Sequence, residues 1–341
     1  MITLNGKNID LILAPMAEIS DYPFREINKK YGADLTFTQM VSARGISNKH
    51  FDTLRYLIFN KKEKPIGVQL LIENDEYIED SVSELVKLNP DVIDLNAGCP
   101  SNEICKKGLG AQLLNNPNKL RKILENIILY SKNIPVSLKL RIGFERINIF
   151  EVLEYIKDLP LAFITIHARL KSEFYTGTPN YDVVKMVKEK YDKKIVFNGS
   201  CFCEDDYFKI KDLTNADAVM IARGALGNPF IFSKIKSCFE RKKFVVDKYL
   251  ILDIAKFHSK LILDTYGEIN FAKYSRKYLI WYFMYFTNIF SLIDNIYKVD
   301  KYDDIINLIN EFTNKNDINT DINEINKIKN MFYNKVLFWL Q

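Results

Sequence analysis

The sequence predicts an α/β protein: a (β/α)8 barrel of the TIM type with a C-terminal all-helical domain. Two observations lead there. From the N-terminus to about residue 240, eight short β-branched or apolar runs alternate with longer helical patterns, and after about residue 243 the strand signals stop. With 341 residues the chain exceeds the usual single core, so the expected division is 1–242 and 243–341.

The strand runs are Asp10–Ala14, Leu35–Gln39, Ile66–Leu71, Val92–Asn96, Val136–Arg141, Phe163–His167, Ile195–Asn198 and Ala218–Ala222. Among the intervening segments, Asp75–Leu88 sets Tyr77, Ile78, Val82, Leu85 and Val86 on one helical face. Pro117–Tyr130 opens on a proline, which suits a first helical turn. A doubly wound sheet is the competing arrangement. It puts a glycine-rich phosphate turn after its first strand, where this chain has Ala14-Pro15-Met16-Ala17. In the second part, Tyr249–Tyr266, Asn270–Phe290, Lys301–Phe312 and Ile322–Leu340 read as helices, and Asn314–Asp321 as a polar loop.

Charge and cysteine usage narrow the function classes. A net charge of +5 permits a nucleic-acid partner without specifying one. No segment approaches the ~18 consecutive apolar residues of a membrane span, and no leader pattern opens the chain, so a soluble, cytoplasmic protein is expected. Five cysteines, odd in number and without paired Cys-x-x-Cys units, suggest neither a disulfide framework nor zinc. Three histidines argue against a His-rich metal site, and no metal is expected.

In such barrels function gathers where the strands end. The eight ends carry Pro15-Met16, Gln39, Gln69, Asn96 with Cys99, Lys139 with Arg141, His167 with Arg169, Asn198-Gly199-Ser200, and Ala222-Arg223-Gly224. All converge on one mouth, which suits a cofactor-sized site. The last two sets follow strands seven and eight, where backbone N–H groups commonly hold phosphate. Their glycines either admit a phosphate to the backbone or simply turn the chain. Lys139 and His167 can stabilise negative charge on a reduced cofactor ring, and Gln69 can meet its amide edge or a loop.

Cys99 stands in Asn96-Ala97-Gly98-Cys99-Pro100, just past the fourth strand. Gly98 and Pro100 shape the backbone beside it. A thiol with its ordinary pKa of ~8.5 is mostly protonated at neutral pH, so it can act as general acid or as nucleophile. No histidine lies next to it, which favours the acid. Cys105, Cys201 and Cys203 read as structural, and Cys238 as a small buried hydrophobe.

Several stretches closely resemble the tRNA-dihydrouridine synthase family. They are Leu13-Ala14-Pro15-Met16-Ala17 with Asp21-Tyr22-Pro23-Phe24-Arg25, Gly67-Val68-Gln69-Leu70, Ile93 through Pro100, and Lys106 through Ala111. So do Lys139 through Gly143, Thr165 through Arg169, Ala216 through Ala225, and Arg276 through Tyr282. The match runs in order over residues 11–285, and its most specific element is Asp-Leu-Asn-x-Gly-Cys-Pro. The bacterial B-type and general branch is the nearest in pattern.

The resemblance implies a concrete chemistry. NADPH (or NADH) reduces FMN, hydride passes to carbon 6 of a tRNA uracil, and Cys99 protonates carbon 5 from the opposite face. By similarity, Pro15, Met16, Ala17, Gln69, Lys139, His167, Asn198, Gly199, Ser200, Ala222, Arg223 and Gly224 line the FMN. Asn96, Arg141 and Arg169 would hold the uracil or an adjoining phosphate. Lys273, Arg276 and Lys277 either contact tRNA phosphates or form a solvated helix face. The chain departs from the family at Gln39 (usually Glu), Ala168 and Ala222 (Gly), Leu170 (Thr) and Ser200 (Asp). Two rivals stand beside this reading: an FMN barrel acting on a free dihydropyrimidine, and a tRNA-binding module without catalysis.

Overall fold

The computed structural model describes residues 1–321 and, beyond them, Ile325, Lys327, Ile328 and Met331. The chain divides into two compact units, Met1–Gly224 and Ala225–Leu340. The sequence pattern changes later, near residue 243, because the helix Ile231–Phe239 that closes the alternating pattern groups with the second unit.

The first unit is a closed parallel barrel. Its strands are β1 (Leu11–Leu13), β2 (Leu35–Ser42), β3 (Ile66–Leu71), β4 (Val92–Ala97), β5 (Val136–Gly143), β6 (Ile164–Leu170), β7 (Ile195–Asn198) and β8 (Ala218–Ile221). Neighbours in sequence are neighbours in the sheet, and β8 pairs with β1 to close it. A TIM barrel follows, as the alternating pattern predicted. The strands read as apolar runs because both faces are covered: every residue of β3 and of β4 is buried. The sequence reading did not anticipate the two-stranded ribbon Ile2–Leu4 with Lys7–Ile9 that precedes the barrel.

Local chemistry explains the boundaries. Asp21 caps Tyr22–Lys30 by accepting the Phe24 N–H at 3.0 Å, and Asn116 caps Pro117–Tyr130 through the Lys119 N–H. Asn89 takes a left-handed conformation that ends Ile78–Leu88. At the N-terminal edge, acids set before even-numbered strands hold the opening N–H of the strand before. Asp34 accepts from Leu11, Asp91 from Ile66 and Asp217 from Ile195. Gly67 leaves room for the Phe37 ring, since a Cβ there would lie 2.1 Å from it.

In the second unit, described helices span Ile231–Phe239, Lys248–Tyr266, Glu268–Phe283, Ile289–Ile296 and Tyr302–Lys315. The helix expected over 270–290 is two. After Phe283 the backbone leaves the helix to form a bridge between Phe286 and Ile318, with the Asn319 N–H donating to the Tyr285 carbonyl at 2.7 Å. Phe283, Phe286 and Phe312 cluster around this crossing. Asn288, at φ 57°, starts the next helix. Periodicity alone passes through that asparagine unbroken. The helix expected at Ile322–Leu340 lies essentially outside the described residues. No described helix is long and apolar enough to cross a membrane. Cys238, expected to be buried, is exposed, as is Cys203, while Cys105 and Cys201 are buried.

Candidate active site

The C-terminal ends of the eight strands carry the polar residues singled out in the sequence. Parallel strands put alternate side chains on the inner face, and register aligns Asn96 with Lys139, Arg141 with His167, and His167 with Asn198. Lys139, Arg141, Arg169 and Arg223 thus share one mouth, where each depresses the basicity of His167.

Cys99 sits on a loop that other residues shape closely. The Asn96 Oδ1 accepts the backbone N–H of Gly98 at 3.1 Å and of Cys99 at 2.9 Å. The Cys99 carbonyl accepts the Ala111 N–H at 3.0 Å and the Cys105 thiol at 3.5 Å. Gly110, at φ 57°, is needed here, because a Cβ on it would stand 2.8 Å from the Cys99 carbonyl and 3.0 Å from its Cβ. The Lys106–Ala111 stretch therefore buttresses the thiol loop. Burial pushes the Cys99 thiol up from its ordinary value, outweighing the Ser101 N–H and the cations Arg141 and Lys139. It stays protonated at neutral pH.

The Lys139 ammonium makes no hydrogen bond to any described residue, and burial, with Arg141 adding repulsion, lowers it to about 8. Arg141 is buried. Its Nε donates to the Gly98 carbonyl at 2.9 Å and its Nη1 to the Leu170 carbonyl at 2.8 Å, while Nη2, on the side chain that lies over Tyr175, meets no described residue in hydrogen-bonding geometry. His167 is held well below its usual range by burial and then by these cations, so it is neutral. Its Nε2 lies 3.2 Å from the Arg169 Nη1, an obligate donor, which puts the ring proton on Nδ1.

Two residues expected to hold the uracil or an adjoining phosphate also fasten the backbone around the site. Arg169 donates to the carbonyls of Thr176 and Gly177 and to the Ser200 hydroxyl, at 2.6–2.7 Å, and is buried. It ties the loop after β6 to the loop after β7. Asn96 spends its oxygen on the Cys99 loop and donates from Nδ2 to the Gln69 Oε1 at 2.8 Å. The physical reason is common to both: buried backbone groups near a strand end must find partners, and these side chains are the nearest.

The remaining residues distribute as follows. Gln39 accepts the Glu18 N–H at 2.6 Å, so its amide oxygen fills the acceptor role of a glutamate. Pro15 and Ala17 are half-buried beside buried Met16, whose turn is tied by Ser20. Asn198 donates to the Met220 carbonyl at 2.8 Å, joining β7 to β8. Gly199 and Ser200 both have positive φ. Ala222 follows β8 directly, and Gly224 lets the two loops press together, since a Cβ there would lie 2.0 Å from the Cys201 carbonyl. That glycine serves packing of the chain against itself. Leu170 contributes through its backbone, which explains why the side chain there can differ from the family's threonine.

Two residues escaped the sequence reading. Tyr175 lies in the loop after β6, with the guanidinium carbons of Arg141 and Arg223 at 5.3 and 5.8 Å from its ring centroid and the His167 ring at 6.1 Å. Arg223 also donates to its carbonyl at 3.1 Å. No strand-end rule points to a mid-loop tyrosine. Asp94 is the second: a buried acid whose carboxyl rises to about 6 through burial. It was visible only as one letter of the Asp-Leu-Asn motif.

In the second unit, Arg276 donates to the carbonyls of Ile296 and Val299 and pairs with Asp300 at 2.5 Å. It closes the end of a helix. Lys273 is exposed, and Lys277 is half-buried with its Nζ 4.8 Å from the Tyr278 ring centroid. Among the described residues no cluster of His, Cys, Asp and Glu could hold a metal.

The chain is 32% identical over 277 residues to the tRNA-dihydrouridine synthase B of Pasteurella multocida (strain Pm70), covering 80% of this chain and 83% of that protein. It is 30% identical to a probable tRNA-dihydrouridine synthase of Rhizobium leguminosarum bv. phaseoli, over 80% and 84% of the two chains. The fold is also that of histamine dehydrogenase from Rhizobium sp. 4-9, at 14% identity and a TM-score of 0.53, covering 73% of this chain and 49% of that one. The model of the dihydrouridine synthase (Dus) family matches residues 12–331, and the chain belongs to that family.

Proposed function

We propose that this protein is a tRNA-dihydrouridine synthase whose flavin is FMN, with NADPH or NADH as reductant. The observation that carries the reading is the pairing of a protonated thiol, Cys99, with a cation cluster whose Lys139 ammonium and Arg141 Nη2 have no hydrogen-bond partner among the described residues. Cationic groups gathered at one mouth suit an anion, and FMN brings a phosphate and a ring that becomes anionic on reduction. The donor set fits the cofactor. When bound, the flavin supplies hydride to carbon 6 of a uracil.

Lys139 offsets charge at the ring, and Gln69 offers the amide positions left after its bonds to Asp94 and Asn96. Pro15, Met16, Ala17 and neutral His167 complete the wall on this reading. Asn198, Gly199, Ser200, Ala222, Arg223 and Gly224 form the phosphate end, with Arg223 adding charge. Arg141 faces the uracil. Cys99 gives its proton to carbon 5 and regains one from solvent; burial keeps the thiol in the acid form until then.

A uridine inside a folded tRNA has to leave its stack to enter a barrel mouth, at a cost of a few kcal/mol. Phosphate contacts from the helical unit help offset it, with the exposed Lys273 as a candidate cation. The barrel is then the catalytic part and the helices the tRNA-binding part.

The test is to record the visible spectrum of the purified protein, then incubate it with NADPH and unmodified tRNA before nucleoside mass spectrometry. A yellow protein that adds one dihydrogen to particular uridines bears the proposal out. Rapid oxidation of a free dihydropyrimidine, with tRNA left unchanged, would overturn it.

A further inference from the structure

Below the mouth, the barrel interior holds a polar layer where apolar packing is the rule. Gln69, Asp94 and Ser137 occupy matched register positions on β3, β4 and β5, and all three are buried. The Asp94 Oδ1 accepts the Ser137 hydroxyl at 2.6 Å and its Oδ2 accepts the Gln69 Nε2 at 2.7 Å. A carboxylate only accepts, so the Gln69 amide has one consistent orientation. Its oxygen, turned the other way, accepts from Asn96 at 2.8 Å, and the Asn96 oxygen in turn accepts the N–H groups of Gly98 and Cys99. The directions in this chain are fixed at both ends, by a carboxylate that only accepts and by two backbone N–H groups that only donate.

The same carboxylate is the acidic neighbour of Lys139. Facing that ammonium are Arg141, Asp94 and Cys99, with His167 on the adjoining strand; of these Asp94 alone is a carboxylate. Holding a carboxylate inside a barrel costs several kcal/mol in desolvation. A neutral side chain would be the cheaper core residue, so structure alone gives little reason for an acid here.

We propose that Asp94 is a positioning residue for the reaction: it orients Gln69, through Gln69 and Asn96 the loop that carries Cys99, and it sets its charge against Lys139. For the roles of Cys99 and Lys139 this rests on the function proposed above. Asp94 reaches no reacting atom itself. It links the cofactor-facing end of the site to the proton-donating end through the side chains of Gln69 and Asn96.

The test has two readouts. In cofactor-free protein, acetylation of Lys139 by acetic anhydride is followed against pH by peptide mass spectrometry. Wild type is expected to show a midpoint near about 8. Asp94→Asn removes the anion that favours the charged amine, so its midpoint falls by about one unit. Ser137→Ala keeps the anion and leaves the midpoint in place. In the holoenzyme, Asp94→Asn lowers the rate of dihydrouridine formation at saturating tRNA about tenfold or more, a clearly larger loss than that in oxidation of the reductant.

An unmoved lysine midpoint in Asp94→Asn would sink the charge relationship. Equal loss of both half-reactions, with release of cofactor, would mean that Asp94 merely supports the barrel. If Asp94→Asn does not fold, Asp94→Glu carries the test. It retains the charge and the lysine midpoint but displaces the amide chain, and a wild-type tRNA rate in it would overturn the positioning role. If wild type itself forms no dihydrouridine, the proposed function falls, and the acetylation midpoints still decide the link between Asp94 and Lys139.

Discussion

The side-chain oxygen of Asn96 accepts the backbone N–H of Cys99 at 2.9 Å, so the penultimate residue of β4 also sets the pose of the thiol three positions later. Two of the most specific letters of the motif are thereby one structural device. Cys99→Ala leaves that backbone bond intact. We expect it to retain flavin and to oxidise NADPH at close to the wild-type rate while losing dihydrouridine formation. Comparable loss of all three activities would make the cysteine a packing residue.

Asn96→Ala removes the acceptor and leaves two buried N–H groups without it. Each unmet group costs about 1–3 kcal/mol. The expected result is a ten- to hundredfold fall in the tRNA half-reaction with a smaller change in flavin affinity. Separate titration of flavin and single-turnover measurement with tRNA distinguish the two.

Gly110→Ala probes the same loop from the other side. An added methyl meets the Cys99 carbonyl at 2.8 Å on a residue already at φ 57°. Strain of the left-handed backbone alone costs about 1 kcal/mol, and the contact must move Cys99. Dihydrouridine formation should fall well beyond what the loss of thermal stability accounts for. An unaffected rate would show that the loop yields without displacing the thiol.

In the helical unit, Arg276 and Lys273 are expected to behave differently. Arg276→Ala breaks bonds to two carbonyls and to Asp300, and should lower the unfolding midpoint without altering the salt dependence of tRNA binding. Lys273→Ala should leave stability unchanged and reduce the slope of log affinity against log salt by about 0.7–0.9, one phosphate contact's worth. A Lys273 variant with an unaltered slope removes that lysine from the tRNA interface.

His258 is buried against Tyr278 and its Nδ1 lies 2.9 Å from the Tyr282 hydroxyl. Burial, with Lys277 adding repulsion, lowers its pKa to about 3. The unfolded chain therefore binds this proton more readily than the folded one. Stability from the neutral ring is complete above the unfolded value of ~6.5 and is lost progressively as pH falls from there toward about 3. Urea midpoints measured from pH 7 to 4 should decline, and His258→Gln should flatten the decline. A parallel slope in the variant would assign the acid sensitivity elsewhere.

The barrel was legible because a parallel strand covered on both faces needs a continuous apolar run, and eight such runs separated by helical patterns admit few closures. All eight expected strands appear, with ends shifted by a few residues. Missed features lacked a periodic signal. The N-terminal ribbon is too short for one, and the break after Phe283 depends on Ile318, more than thirty residues away. At the site, chemistry-bearing residue types at strand ends revealed which side chains face the mouth. They did not reveal which of those are already occupied.

By itself, then, the sequence determined the barrel, the helical addition and the convergence of Cys99, Lys139, His167 and the arginines, because strand alternation and chain order suffice for each. Only the tertiary structure decided that Arg169, Asn96 and Arg276 bond to backbone carbonyls and N–H groups, that Gly110 guards the thiol, and that Asp94 stands under Lys139. The reason is physical. A side chain's type says what bonds it can make, but buried polar groups take the nearest partner, and nearness between separate strands and loops exists only once the chain has folded.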